Sequence, residues 1–263
     1  MSQNPHEAET LAEGTLISHL LELRDRLLRA VIAVFIAFVP LAFYQNELFT
    51  FIARPLLDKL PEGTSLIATS VVSPFMAPLK LAMIAAVFIA MPYVLYQIWA
   101  FVAPGLYRHE KRFALPLFVS SVVLFYAGAA FAYFVVFPLM FQFLTSATPT
   151  GVKMMTDIAS YLDFVLLLFF AFGVAFEVPV ATVLLAATGL VKIETLRRNR
   201  GYVLLGIFIV AAFLTPPDAV SQCFMAVPMY LLYELGIVFA SMMIKSRSAA
   251  QSGATADGNS GSD

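Results

Sequence analysis

The chain has 263 residues, of which 60% are hydrophobic and only 13% charged, and its formal net charge is −1. A water-soluble globular domain of this length needs far more polar surface, so that class is excluded. That net charge says nothing about nucleic acid, but no basic patch interleaved with aromatics is visible, and no nucleic-acid partner is expected.

The polar, acidic stretch Met1–Thr15 resembles neither a secretory signal nor a transit peptide, and residues 1–26 read as a cytoplasmic N-terminal segment. Six apolar runs follow, at roughly Leu27–Tyr44, Leu81–Ala103, Leu115–Phe141, Tyr161–Leu190, Tyr202–Leu214 and Val220–Ile244. A bilayer core about 30 Å thick requires about 20 mostly apolar residues per helical span. The runs are too long for buried strands, and helices satisfy their own backbone groups in lipid. The predicted fold is all-α, a polytopic membrane protein with six transmembrane helices in residues 27–244. The Ser-, Ala- and Gly-rich tail, 245–263, is predicted to be disordered and cytoplasmic.

Basic residues set the orientation. Arg24 and Arg26 precede the first span and Arg29 stands at its very start, and Arg108, Lys111 and Arg112 lie between the second and third. Lys192, Arg197, Arg198 and Arg200 lie between the fourth and fifth, and Lys245 and Arg247 follow the sixth. Twelve of the 16 basic residues thus fall on one side, which the positive-inside rule places in the cytoplasm together with both termini. Six spans, an even number, agree.

Five spans contain proline, at Pro40, Pro92, Pro116 and Pro138, Pro179, and Pro228; each removes a helical hydrogen bond and can kink its helix. The longest outer loop, about Gln45–Val72, carries Leu48, Phe49, Ile52, Leu56 and Leu60 at helical spacing after Asn46, which suits a short amphipathic surface helix bent at Pro55. Span five has 13 residues, roughly 20 Å of helix, and falls short of the hydrocarbon thickness. Thr215-Pro216-Pro217-Asp218 makes a tight connection, with Asp218 placed to cap the next helix.

Catalysis finds no support. His6, His19 and His109 all lie outside the spans, there is no metal-binding or nucleophile motif, no cofactor is implied, and the single Cys223 excludes an intrachain disulfide. Glu22 and Glu110 sit in unusually basic company at the cytoplasmic interface. Two carboxylates there could receive guanidinium groups in bidentate pairs. The alternative is that each pairs with its own neighbouring Arg or Lys and contributes little. Glu177 stands inside the fourth span, where a charged acid costs roughly 2.5–3.5 kcal/mol on insertion scales, so it is a functional candidate. Glu234, nearer the cytoplasmic end of span six, poses the same question, with Gln222 and Tyr126 as possible partners by residue type. A secondary transporter of a small solute is the competing class, since kinked helices and buried acids suit one, but the polar lining is sparse and no two matching halves are evident.

Five segments together resemble the TatC family of twin-arginine translocase subunits: SHLLELRDRL, YQIWAFVAPGLYRHEKR (Tyr96–Arg112), FAYFVVFPLMFQF (Phe131–Phe143), FGVAFEVPV (Phe172–Val180) and LTPPD (Leu214–Asp218). They occur in the family's order over about Ser18–Ile244. The resemblance implies a receptor in the bacterial inner membrane for signal peptides bearing paired arginines, serving the export of folded proteins and driven by the proton-motive force without nucleotide hydrolysis. It implies partners of the single-span TatA/TatB type and self-association in a receptor complex. Glu22 and Glu110 match the family's arginine-recognising carboxylates, and Glu177 its membrane-embedded acid. Arg24, Pro55, Phe75, Phe101 and Asp218 fall on further positions that the family treats as important.

The charge distribution makes the topology testable. Single cysteines placed at Asp58 and Thr150 in a Cys223→Ser background are expected to react with an impermeant thiol reagent added outside, and cysteines at Lys111 and Arg198 to stay protected. The reverse pattern would invert the orientation.

Overall fold

The computed structural model describes residues 5–50, 67–106, 114–146, 157–215 and 218–257, and helices dominate them. In chain order they are α1 (Pro5–Phe43), α2 (Ser73–Leu106), α3 (Ala114–Phe131), a π-helical turn (Ala132–Val136), α4 (Phe137–Ser146), α5 (Ile158–Ala175), α6 (Val178–Ala187), α7 (Ile193–Arg198), α8 (Arg200–Leu214) and α9 (Ala219–Asp257). Among the described residues five stretches are long and apolar enough to cross a membrane: Ile17–Phe43, Ser73–Val102, Leu115–Phe143, Ile158–Ala187 and Ala219–Lys245. The shorter α8 accounts for the sixth predicted span. It has 15 residues, about 22 Å of helix.

The chain divides into two compact units, Met1–Phe118 and Val119–Asp263, with the boundary inside α3. In the first unit α1 packs against α2. Ala77, Ala82, Ala86 and Ala90 of α2 are buried, and such small side chains let helix backbones approach closely. At one end of this pair the His19 ring of α1 stacks on Phe101 of α2, with centroids 4.3 Å apart. Much of α1 faces outward with large apolar side chains, Phe35 and Phe43 among them, as a helix bathed in lipid requires.

In the second unit the core is built around Phe125, Met140, Leu168, Phe172, Met225 and Ile237, all at most 1% exposed. Glycines set its tightest crossings. A Cβ at Gly128 would lie 2.9 Å from the Phe172 carbonyl carbon and from Phe176 Cβ, and nearer still to the carbonyl oxygen. A Cβ at Gly236 of α9 would lie 2.9 Å from Pro179 Cα, which fits the close packing of α9 on α6. Gly189, at φ 75°, supplies the left-handed residue after the end of α6.

Two predicted spans are not single helices. The third widens into the π-helical turn, where the Phe137 N–H reaches back five residues to the Ala132 carbonyl. Pro138 explains it, because its ring would crowd the carbonyl four residues earlier and it offers no N–H. The fourth breaks between α5 and α6. There the Glu177 N–H bonds the Val174 carbonyl at 3.0 Å in a tightened turn, and helix resumes with Ala181 N–H to Glu177 carbonyl at 2.8 Å. Pro179, in the first turn of α6, cannot continue the earlier ladder. Pro40 and Pro228, by contrast, lie inside unbroken helices.

Other boundaries shift. The first helix starts at Pro5, well before the span boundary at residue 27, and the last runs to Asp257, where a disordered tail was expected from residue 245. In the outer loop residues 45–50 are helical, with Leu48 N–H bonded to the Tyr44 carbonyl; Asn46 lies inside that turn, and its carbonyl accepts from Thr50 Oγ1. The remainder of that amphipathic segment, with Pro55, lies outside the described residues.

The Gly128 crossing yields a direct test. Gly128→Ala is expected to destabilise the protein in detergent by about 1–3 kcal/mol, the usual cost of overpacking a dense contact, because the obstruction is backbone that cannot rotate away. Denaturant unfolding followed by circular dichroism measures it, with Gly201→Ala, whose Cβ would meet open space, as the matched control.

Candidate functional site

Glu177 owes its position to the proline break. With Phe176 it is one of the two residues between α5 and α6, so its side chain leaves the backbone where neither helix continues. Its Oε2 accepts a hydrogen bond from Ser121 Oγ of α3 at 2.5 Å, and Ser121 is wholly buried. Its Oε1 is also buried and has no hydrogen-bond partner among the described residues. One oxygen is therefore anchored and the other is left with unused acceptor capacity inside the bundle.

Glu234 is held quite differently. Its Oε2 pairs with Arg200 Nη2 at 2.7 Å, and its Oε1 accepts from Tyr230 Oη at 3.0 Å. Next to it, Tyr233 Oη donates to the Leu196 carbonyl at 2.9 Å. These bonds tie α9 to α7 and to the start of α8. Glu234 thus clamps helices together, whereas Glu177 does not have both oxygens engaged.

Gln222 donates from Nε2 to the Phe208 carbonyl of α8 at 2.9 Å, so its amide is spent on joining α8 to α9. Asp218 caps α9 as its position suggested: Oδ1 accepts from Ser221 N–H at 2.7 Å, and the Asp218 carbonyl accepts from Gln222 N–H. On the other side of the turn the Thr215 hydroxyl bonds back to the Ala211 carbonyl.

In the first unit Glu22 lies on α1, one turn beyond His19. Arg26, four residues on, reaches it with both Nε and Nη2, at 2.9 and 2.6 Å, and both bonds fall on Oε1. The Glu22 side chain remains 38% exposed. Arg24 points elsewhere and pairs with Asp25. Phe101 steadies this end of α1 through the His19 stack, while Phe75 is exposed in the first turn of α2. Glu110 and Pro55 lie outside the described residues.

Sequence reasoning missed Ser121, Arg200 and Tyr230. Ser121 gives no signal of its own, being one small polar residue in an uncharged run. Arg200 could have been matched to Glu234, since both were placed near the cytoplasmic face.

The profile of the Sec-independent protein translocase protein (TatC) family matches residues 18–228. The chain belongs to the TatC family. It is 58% identical over 226 residues to the Sec-independent protein translocase protein TatC of Azotobacter chroococcum mcd 1, covering 86% of this chain and 89% of that one. To the TatC protein of Escherichia coli strain K12 it is 52% identical over 229 residues, covering 87% and 89%. A crystal structure of the twin arginine translocase receptor TatC superimposes with a TM-score of 0.78 at 37% identity, covering 85% of this chain and 98% of that one. The protein is accordingly a multi-pass component of the twin-arginine translocase in the bacterial inner membrane, a transport protein, and the solute-transporter reading falls away.

Proposed function

We propose that this TatC-family protein is the receptor for twin-arginine signal peptides and the core subunit around which single-span TatA/TatB-type partners and further copies of the chain assemble, with movement of folded cargo drawing on the proton-motive force. In this reading residues 1–26 and 245–263 flank the six-helix domain, 27–244, on the cytoplasmic side.

The observation that carries the receptor reading is the state of Glu22. Its internal partner, Arg26, occupies a single oxygen, and the side chain is more than a third exposed. The other oxygen accepts no bond among the described residues and can receive an incoming guanidinium, and a peptide arginine can also compete for the first, because a solvent-exposed i,i+4 pair contributes only about 0.3–0.5 kcal/mol. Glu110 is the second carboxylate of the proposed pair. Guanidinium matches the planar acceptor geometry that an ammonium cannot reproduce. Hydrogen bonds to charged groups contribute roughly 1.5–3 kcal/mol each, so Glu22→Ala or Glu110→Ala is expected to weaken capture of a twin-arginine peptide about tenfold or more. Lysine at both positions is expected to abolish capture by a protein that still folds. Peptide binding to purified protein measures both, with the two peptide arginines changed to lysine as control; wild-type affinity in the double variant would eliminate the site.

Glu177 is the proposed docking point for a partner helix. Support comes from the buried Oε1 that lacks a hydrogen bond, and from the short α8, whose mismatch with a thicker bilayer favours helix association. Interhelical polar contacts contribute about 0.6–2 kcal/mol, enough to shift a partner between two positions without holding it alone. Glu177→Ala is expected to spare peptide capture and to impair partner crosslinking and export, whereas Glu177→Gln, which keeps acceptor oxygen, retains much of both. Equal and complete loss in the two variants would point to proton transfer instead.

A further inference from the structure

Between α5 and α8, with α9 as its floor, the second unit carries a groove of about 680 Å³ that none of the roles above uses. Its walls are almost wholly apolar and include Phe170 and Val174 of α5, Val203, Gly206 and Leu214 of α8, and Tyr233 of α9. Gly206 marks open space, since a Cβ there would find no heavy atom within 4 Å. From Val203 to Leu214 the α8 wall rises about 16 Å at 1.5 Å per residue. One leaflet of hydrocarbon is about 15 Å deep, half of the roughly 30 Å core.

The cytoplasmic mouth of this groove is basic. Lys192, Arg197, Arg198 and Arg200 gather there against two acids, Glu194 and Glu234, and Glu234 is already paired with Arg200. Arg197 and Arg198 are exposed and form no ion pair among the described residues. They are also fixed to the groove: Tyr233, part of its floor, donates its hydroxyl to the carbonyl of Leu196, the residue immediately before them. Tyr202, 78% exposed one residue before Val203, sits where an aromatic side chain marks the lipid–water interface.

We propose that the groove holds an acyl chain of an anionic phospholipid from the cytoplasmic leaflet, with its phosphate received by Arg197 and Arg198. Charge decides between this occupant and a partner helix. A single-span helix obeys the same positive-inside bias and would bring its own basic residues to the end where these arginines stand. An anionic lipid brings the opposite sign, and basic pockets between helices on the cytoplasmic side are suited to such headgroups. Guanidinium and phosphate also pair bidentately.

The test uses the full chain, reconstituted in nanodiscs of mixed phosphatidylcholine and phosphatidylglycerol, then extracted in mild detergent, with retained lipid counted by native mass spectrometry. Wild-type protein is expected to retain phosphatidylglycerol in preference to phosphatidylcholine, and inorganic phosphate is expected not to displace it. Gly206→Leu, which fills the groove, is expected to lose the retained lipid while melting as wild type does. The R197Q/R198Q variant is expected to lose the headgroup preference, by about fivefold for each arginine removed. It alters only exposed side chains and therefore reads the proposal even if Gly206→Leu fails to fold. Equal retention by wild type and Gly206→Leu would mean annular lipid only and would overturn the proposal. So would an unchanged preference in R197Q/R198Q, or displacement by inorganic phosphate. A Gly206→Leu variant that keeps its lipid but no longer crosslinks a single-span partner at Val210 would assign the groove to a helix instead.

Discussion

In hydrocarbon every backbone N–H and C=O must find its partner within the protein, and that constraint organises this molecule. It makes helices the only economical way through the bilayer, and it turns each proline into a structural decision. Where the missing N–H can be absorbed, as at Pro40 and Pro228, the helix continues. Where it cannot, the chain changes geometry: a π-helical turn precedes Pro138, and α5 gives way to α6 around Pro179. The second break is the consequential one, because Glu177 stands in it. A carboxylate on a continuous helix would project from the face its register dictates; at the break it is free to reach across to Ser121.

The same constraint explains the placement of small residues. Without water to expel, helices in lipid associate through close packing and polar contacts. Gly128, Gly173 and Gly236 occupy crossings where a Cβ would run into backbone or an aromatic ring: Gly128 against Phe172, Gly173 against Phe125, Gly236 against Pro179. Phe172 and Gly173 before Glu177 and Pro179 after it take part in these crossings, so the acid stands in a tightly packed stretch of chain. Gly206 and Gly201 belong to no such crossing, and the two kinds of glycine cannot be told apart by composition.

The number and order of the spans were legible in the sequence because hydrophobic run length is set directly by bilayer thickness. The shortness of α8 and the Asp218 cap were legible for similarly local reasons: one follows from the distance between Arg200 and Pro216, the other from a side chain bonding three residues ahead. The helix breaks were half legible. The prolines announced kinks, but whether a helix bends, widens or stops depends on what packs against the freed carbonyl, and that is tertiary information. Partner choice was not legible. Gln222 looked suited to an acid and instead bonds the Phe208 carbonyl, while Glu177 found a serine 56 positions away in sequence.

The contrast between the two membrane acids follows from magnitudes. An ionisable residue at mid-span costs roughly 2.5–3.5 kcal/mol on insertion scales. Glu234 offsets that near the interface with a cation and a hydroxyl, one on each oxygen, so little is left for any other group to gain. Glu177 has a single hydroxyl on one oxygen, and a hydrogen bond to a charged group returns about 1.5–3 kcal/mol. The two terms nearly cancel, so the fold tolerates this acid without being stabilised by it. Satisfying the buried Oε1 from outside the chain would then be a net gain, one of the size that lets a neighbouring helix engage and release. A fully paired acid is suited to holding helices in place, and a half-paired one to sensing whether a neighbour is present.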